Sequence, residues 1–172
     1  MLRLLVVIAF FLISSSYGYD TLLLETQSAV LPKIISLTKD GHKRIAQGEK
    51  IVAVCYAKGD EMIAKEVAEK ITFRGRELGL RGVPYNYAQL EGEHGIVALF
   101  ILSGTPAQIE KAAKIAESRQ ILSFAYDLAD LEYGALLSLV IERRAIIYLR
   151  REAQKSARGI FQERFFDVVR FY

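Results

Sequence analysis

Two short, continuous apolar runs constrain the fold of this chain more than any other feature of its sequence. They span residues 50–57 (KIVAVCYA) and 95–102 (GIVALFIL), and both contain β-branched side chains. Runs of this kind are typical of strands that are buried on both faces of a parallel sheet. We therefore predict an α/β domain with these runs in the central strands. The residues expected in its core are Val52, Val54, Val97, Leu99 and Ile101.

Helix signals follow both runs. After the turn at 58–60, apolar residues recur at helical spacing, and Asp60 stands where its side chain can cap the helix. After the second run, Thr105 and Gln108 form a capping box, which predicts a helix over 106–118. Alternating strands and helices indicate right-handed crossovers between parallel strands.

Weaker patterns predict the remaining elements. Pro84 places its strand at the start or the edge of the sheet, because proline cannot donate a ladder hydrogen bond. We expect Gly159 to interrupt the helical region near the C-terminus. The predicted ranges are 22–37 for a first helix, 39–49 for a polar loop, 82–88 and 120–126 for strands, 135–141 and 145–149 for an antiparallel hairpin, and 150–158 and 162–171 for the last helices. Together they predict one α/β domain, with a mostly parallel sheet flanked by helices and an antiparallel C-terminal hairpin.

The N-terminus has the pattern of a secretory signal peptide. A positive charge precedes an apolar run over 4–13, and the small residues Ser16 and Gly18 offer a cleavage site. The alternative is an uncleaved membrane anchor, but the run is shorter than the ~20 apolar residues that a spanning helix needs. We predict that 1–18 is removed near Gly18 and that 19–172 forms an exported, periplasmic domain.

Composition excludes several classes of function. The formal net charge of +3 is too small for a nucleic-acid-binding surface, which needs clustered Lys and Arg. A single cysteine excludes an internal disulfide, and we expect Cys55 to be buried as a small hydrophobic residue. The two histidines, His42 and His94, are too few for a histidine-rich metal site. We therefore expect no metal, no cofactor and no nucleic-acid partner.

Sequence motifs for catalysis are missing. There is no glycine-rich dinucleotide fingerprint, no P-loop and no G-x-S-x-G elbow, and Cys55 has no histidine near it in sequence. These absences favour a protein that is not an enzyme.

The strand exits supply a candidate ligand site. In open α/β sheets, ligands bind outside the carboxyl ends of the strands, and helix N-termini there favour anionic groups. The alternative is a rim of ordinary loops. The candidate rim consists of Tyr56, Lys58, Gly59, Ser103, Gly104, Thr105 and Asp127.

Aromatic side chains are concentrated at the C-terminus, where residues 161–172 include five of them. One helix face of ordinary width cannot carry all five, so we expect part of this helix to lie at a homodimer or partner contact. The alternative is a helix that is buried wholly in the core. The candidate protein contact comprises Phe161, Phe166 and Phe171, with Arg150 and Arg151 before the helix.

Several motifs between residue 50 and the C-terminus occur in a recognisable order. They are the strand and turn IVAVCYAKGD, a strand that ends before Asp127, Gly134 ahead of the hairpin, and Gly159 ahead of a last amphipathic segment. In this order the chain resembles the YfiR-like family of exported bacterial proteins. It departs from the family pattern after the last hairpin strand, where two arginines replace the usual Asn, and it lacks most of the family's cysteines.

The resemblance implies a small periplasmic regulator. The best-known member of the family represses a membrane-bound diguanylate cyclase by binding its periplasmic part, and other relatives look like sensory inputs to membrane kinases. We therefore expect a non-enzymatic regulatory or sensor protein whose partner is a membrane cyclase or kinase. The alternative is a periplasmic protein that binds a small ligand at the candidate rim.

Overall fold

The computed structural model describes residues 18–39 and 50–172. The predicted signal peptide up to residue 17, and residues 40–49 of the predicted polar loop, lie outside the described residues. The described residues form one α/β domain, in which helices cover both faces of a seven-stranded sheet. The predicted fold class is therefore confirmed.

The sheet is mostly parallel. Its strands are β1 (Lys50–Tyr56), β2 (Leu80–Asn86), β3 (Ile96–Ile101), β4 (Leu122–Ala125), β5 (Leu137–Ile141), β6 (Ala145–Leu149) and β7 (Val169–Phe171). They are arranged in the order β2-β1-β3-β4-β5-β6-β7, and β5 and β6 form the predicted antiparallel hairpin. Strand β2 pairs with β1 alone, so Pro84 lies in an edge strand as predicted.

Four α-helices are present in the described residues: α1 (Thr21–Ser36), α2 (Glu61–Arg74), α3 (Pro106–Ser118) and α4 (Gln154–Ile160). Helix α3 begins at the predicted capping box, in which the Gln108 amide donates to the Thr105 side chain at 3.3 Å. The Thr105 amide donates in turn to Oε1 of Gln108 at 2.9 Å. None of the helices in this described part is long and apolar enough to cross a bilayer.

Alternate residues of the central strands face two separate apolar layers. Val52 and Val54 pack in the layer that contains α1 and α2, whereas Leu99 and Ile101 pack in the layer that contains α3. These four side chains are buried, as the apolar runs predict. Val97 is only partly buried, so its predicted place in the core is wrong. The register of β1 and β3 shifts at this point, because Ile51 pairs with Ile96 and Val52 pairs with Ala98. Val97 is therefore the extra residue of an irregularity in β3, and it packs at the margin of the core.

Cys55 lies at the centre of the α3-side layer and is completely buried. Burial raises the pKa of its thiol, because the thiolate would lose its hydration. The residue is therefore a small hydrophobic core side chain, as predicted.

The C-terminal segment differs from the prediction. Instead of a helix over 162–171, the chain forms a 3₁₀ turn at Glu163–Phe165 and then β7, which pairs in parallel with β6. Gly159 lies inside α4 and does not interrupt it. Pairing with the sheet favours a strand over a helix here, because β7 forms hydrogen bonds with backbone groups of β6 that would otherwise have no partner in the sheet.

The aromatic residues of this segment divide between the core and the surface. Phe161 is 1% exposed and stacks on Phe165 with ring centroids 3.8 Å apart. Phe166 is partly buried, with the Arg158 guanidinium 5.3 Å from its ring centroid, and Phe171 is 38% exposed on the edge strand. Phe161 is therefore part of the core and has no surface to offer to the expected protein contact.

Candidate functional site

A cleft opens at the carboxyl ends of the parallel strands. The chain runs from β1 outward to β2 and then returns to β3 on the other side of β1, so the loops after β1 and β3 separate at this point. Such a switch point is where open α/β sheets bind ligands. The cleft has a volume of about 770 Å³, which is within the usual range of small-molecule sites.

Three loops and the start of α1 form the cleft walls. The loops follow β1, β3 and β4, and they contribute Lys58, Gly59, Ser103, Gly104, Thr105 and Asp127 of the candidate rim. Tyr56, the remaining rim candidate, does not line the cleft and packs partly buried against the core. The fold therefore brings six of the seven candidate residues to one place.

Asp60 holds these loops together. Its Oδ2 atom accepts a hydrogen bond from the Ser103 hydroxyl at 2.5 Å and another from the Tyr19 hydroxyl at 2.7 Å. The Ser103 oxygen also accepts from the Ala57 amide at 3.0 Å. Asp60 precedes α2 but makes no side-chain capping bond, so the predicted cap is wrong. Its carboxylate is instead directed into the cleft wall and joins the loops after β1 and β3.

A close approach explains the glycine at position 104. The Tyr87 hydroxyl donates to the Ser103 carbonyl at 2.6 Å and passes beside Gly104. A Cβ atom at position 104 would lie 2.6 Å from the Tyr87 oxygen, which is much closer than a normal contact. Burial raises the pKa of Tyr87, so its hydroxyl stays protonated and keeps this bond. The Tyr87 hydroxyl therefore holds the backbone of the cleft wall at 103–105 in place through this hydrogen bond.

The N-terminal segment closes one side of the cleft. The Tyr19 ring meets the Tyr126 ring edge-on, with centroids 5.1 Å apart, and the Asp20 amide donates to the Tyr126 hydroxyl at 2.9 Å. Farther along α1, buried Gln27 donates to the carbonyls of Tyr126 and Leu139. These contacts fix the exit of β4, and the sequence has no local signal for them because they link residues far apart in the chain.

Two neighbouring carboxylates lie after β4. Asp127 caps the 3₁₀ helix Leu128–Tyr133 by accepting from the Ala129 amide at 2.9 Å. Asp130 is 9% exposed, and burial, with a smaller effect from the charge of Asp127, raises its pKa to about 7. Among the described residues, neither carboxylate forms a salt bridge with Lys or Arg. Sequence reasoning missed Asp130, whose burial comes from the tertiary fold.

The chemistry of the cleft favours a charged organic molecule. The Asp127–Asp130 pair attracts a positive group, and the N-terminus of α3 at Thr105 attracts a negative one. Lys70 is already engaged by Glu25 and Glu66. No histidine lines the cleft in the part of the chain that the structure describes, and that part contains no cluster of three or more side chains that could hold a metal ion.

Comparisons with known proteins find likeness at the level of fold. Neither a protein-family model nor a curated protein matches this chain. A conserved domain protein from Vibrio cholerae O1 biovar El Tor str. N16961 superposes with a TM-score of 0.57 at 14% identity, over 86% of this chain and 59% of that one. The ABC domain from Streptococcus pneumonia, solved in complex with L-Trp, gives a TM-score of 0.59 at 13% identity, over 84% and 61%.

These two solved chains are longer than the region they share with this protein. The chain matches about three fifths of the length of each, 59% and 61%. At 14% and 13% identity, the likeness establishes a common α/β fold. One of the proteins with that fold is a domain solved with a bound amino acid.

Proposed function

We propose that this protein is a non-enzymatic periplasmic binding protein whose cleft takes a small molecule with an ammonium group. The observation that carries the proposal is the Asp127–Asp130 pair, which faces the cleft without a cationic partner among the described residues. A nearly buried carboxylate beside another is costly to ionise, and a bound cation removes that cost.

Amino acids are the first ligand class to consider. The carboxylate pair suits an α-ammonium group, and the N-terminus of α3 at Thr105 suits an α-carboxylate. The domain from Streptococcus pneumonia shares the fold and was solved with an amino acid, which supports the same class of ligand. A binding role also fits the cleft's side chains, because the Ser103 hydroxyl donates a hydrogen bond to Asp60 and no histidine within residues 18–39 or 50–172 lines the cleft to act as its base.

Calorimetry with amino acids and with the corresponding neutral N-acetyl derivatives tests this proposal. We expect the free amino acid to bind and the N-acetyl form to bind at least tenfold more weakly. Asp130→Asn should weaken binding by at least tenfold, because a hydrogen bond to a charged group contributes about 1.5–3 kcal/mol. Asp167→Asn removes an exposed carboxylate far along the chain and serves as the matched control.

The pH dependence provides a second measurement within the same test. In the folded protein the pKa of Asp130 is raised to about 7. Between about pH 4 and about pH 7 the unfolded chain therefore releases this proton while the folded chain keeps it, so the free energy of unfolding of the unliganded protein falls as pH rises over that range. Affinity for an ammonium ligand should rise over the same range and level off above it. In Asp130→Asn, both trends should disappear. Equal binding by wild type and Asp130→Asn at pH 8, or preferential binding of the N-acetyl derivative, would contradict the proposal.

A second function rests on the last strand of the sheet. Strand β7 is the last strand of the sheet, with no further strand beside it in the described ranges. Apolar side chains are exposed around it: Val168 at 59%, Phe171 at 38% and Tyr172 at 41%. An open strand edge is a common place for another chain to add. Together with the resemblance to the YfiR-like family, this edge supports a contact with the extracytoplasmic part of a membrane cyclase or kinase.

Affinity purification from detergent-solubilised membranes of the source organism tests the partner. With wild-type protein as bait, we expect a diguanylate cyclase or a sensor kinase in the eluate, and its loss with Phe171→Asp. Phe73→Asp changes another exposed phenylalanine, 71% exposed on α2, and should leave the capture intact. If sedimentation shows a wild-type dimer that Phe171→Asp converts to monomer, and no signalling protein is captured, the edge is a homodimer contact instead.

A further inference from the structure

A second cavity lies at the other end of the strands from the cleft, beside the amino ends of β4 and β5. It has a volume of about 380 Å³ and shares no lining residue with the cleft described above. The last turn of α3, the segment before β5, the residue after β6 and helix α4 surround it. We propose that this cavity is a separate binding site for a small organic carboxylate with an apolar body.

The charges in the cavity favour an anion. Arg150 and Lys155 line it together with a single acid, Glu117. Among the described residues, neither of the two basic side chains forms a salt bridge. The Nε atom of Arg150 is buried and has no hydrogen-bond partner in the described part of the chain. Because protein atoms cover Nε, a carboxylate in the cavity would pair with the positive charge of the guanidinium rather than with Nε itself.

Strain in the backbone supplies an independent observation. Gln120 follows α3 with φ +53°, and it is the only described residue other than glycine with a positive φ. The Gln120 and Ile121 amides donate to Glu117 and Ala116, which is the helix-ending pattern that usually places glycine at this position. A left-handed backbone is less favourable for glutamine than for glycine. Gln120 lines the cavity, and its side-chain amide is a neutral donor that a bound carboxylate can use.

The rest of the lining limits the ligand to a molecule with an apolar body. Ile121 and Leu136 are buried, Ile160 is partly buried, and all three contribute to the cavity wall. A bare inorganic anion would leave these side chains uncovered, whereas an aromatic or branched carboxylate would bury them. The volume, near the lower end of the range for ligand sites, suits a molecule about the size of benzoate or somewhat larger.

Amide chemical shifts of the full-length labelled protein, titrated with benzoate, test the site. We expect saturable shifts around Gln120, Leu136 and Ile160, at least tenfold weaker binding of neutral benzamide, and no comparable binding of inorganic phosphate. Arg150→Gln should weaken benzoate binding about tenfold, and Lys155→Gln at least threefold. Arg151→Gln removes the same charge from the exposed neighbouring residue and should have no effect.

The variant Gln120→Gly distinguishes the effect of the side-chain amide on benzoate binding from the effect of residue 120 on the stability of the fold. Glycine relieves the positive φ, so the melting temperature should rise, while benzoate binding should weaken because the amide is lost. The proposal is overturned if benzoate gives no saturable shifts in these segments, if phosphate or benzamide binds as well as benzoate, or if Lys155→Gln and Gln120→Gly both bind like wild type. Lys155 and Gln120 are exposed, so the test remains decisive even if Arg150→Gln does not fold.

Discussion

Replacing Phe161 by Ala should lower the free energy of unfolding by about 3–5 kcal/mol, the usual cost of removing a fully buried phenylalanine. Phe161 is 1% exposed and stacks on Phe165 at a centroid distance of 3.8 Å. Its backbone also forms a bridge with Thr38, which joins the end of α1 to the C-terminal segment. The loss would therefore leave a cavity between two parts of the chain that hold each other in place.

Urea denaturation beside Phe171→Ala provides the comparison. Phe171 has the same side chain in the same segment but is 38% exposed at the sheet edge, so its replacement should cost about 1 kcal/mol or less. A loss of under about 0.5 kcal/mol for Phe161→Ala would mean that the ring is not in the core. In that case, the sequence-based expectation of a protein contact at Phe161 would stand again.

Replacing Leu99 by Ala should lower the free energy of unfolding by about 2–5 kcal/mol. Leu99 is completely buried in β3, which lies between β1 and β4, and it packs in the layer that contains α3. Neighbouring side chains are held on strands and helices from several parts of the chain, so the space left by the leucine cannot close easily.

Val97→Ala is the matched control for Leu99→Ala, because both residues lie in β3 but Val97 is only partly buried. We expect the control to cost about 1 kcal/mol, measured by the same urea titration. Equal effects of the two substitutions would contradict the register that places Leu99 in the apolar layer under α3.

Local sequence patterns predicted the structure correctly where the residues of the pattern and the residues of the structural feature are the same. The capping box at Thr105 and Gln108 predicted the start of α3, since both partners lie within one helical turn. Pro84 predicted an edge strand because its missing N–H is a property of that residue alone. Six of the seven rim candidates line one cleft, because the exits of parallel strands always meet at one edge of the sheet.

Expectations failed where a distant element competed with the local pattern. Asp60 could have capped α2, but Tyr19 and Ser103 offer its carboxylate two hydroxyl donors from other parts of the chain. The apolar residues after Gln162 fit a helix, but they form a turn and a strand instead. The turn places Phe165 in the core, and the strand pairs with the edge of β6.

The sequence by itself determined the class of the fold. Continuous apolar runs need cover on both faces, and amphipathic helices between them provide that cover, so an α/β sheet follows from hydrophobic burial alone. Only the tertiary structure decided which polar groups are buried, among them the Asp130 carboxyl in the cleft and the Nε atom of Arg150 beside the second cavity. The reason is physical: hydration is lost when distant segments pack together, and no spacing along the chain records which segments will meet.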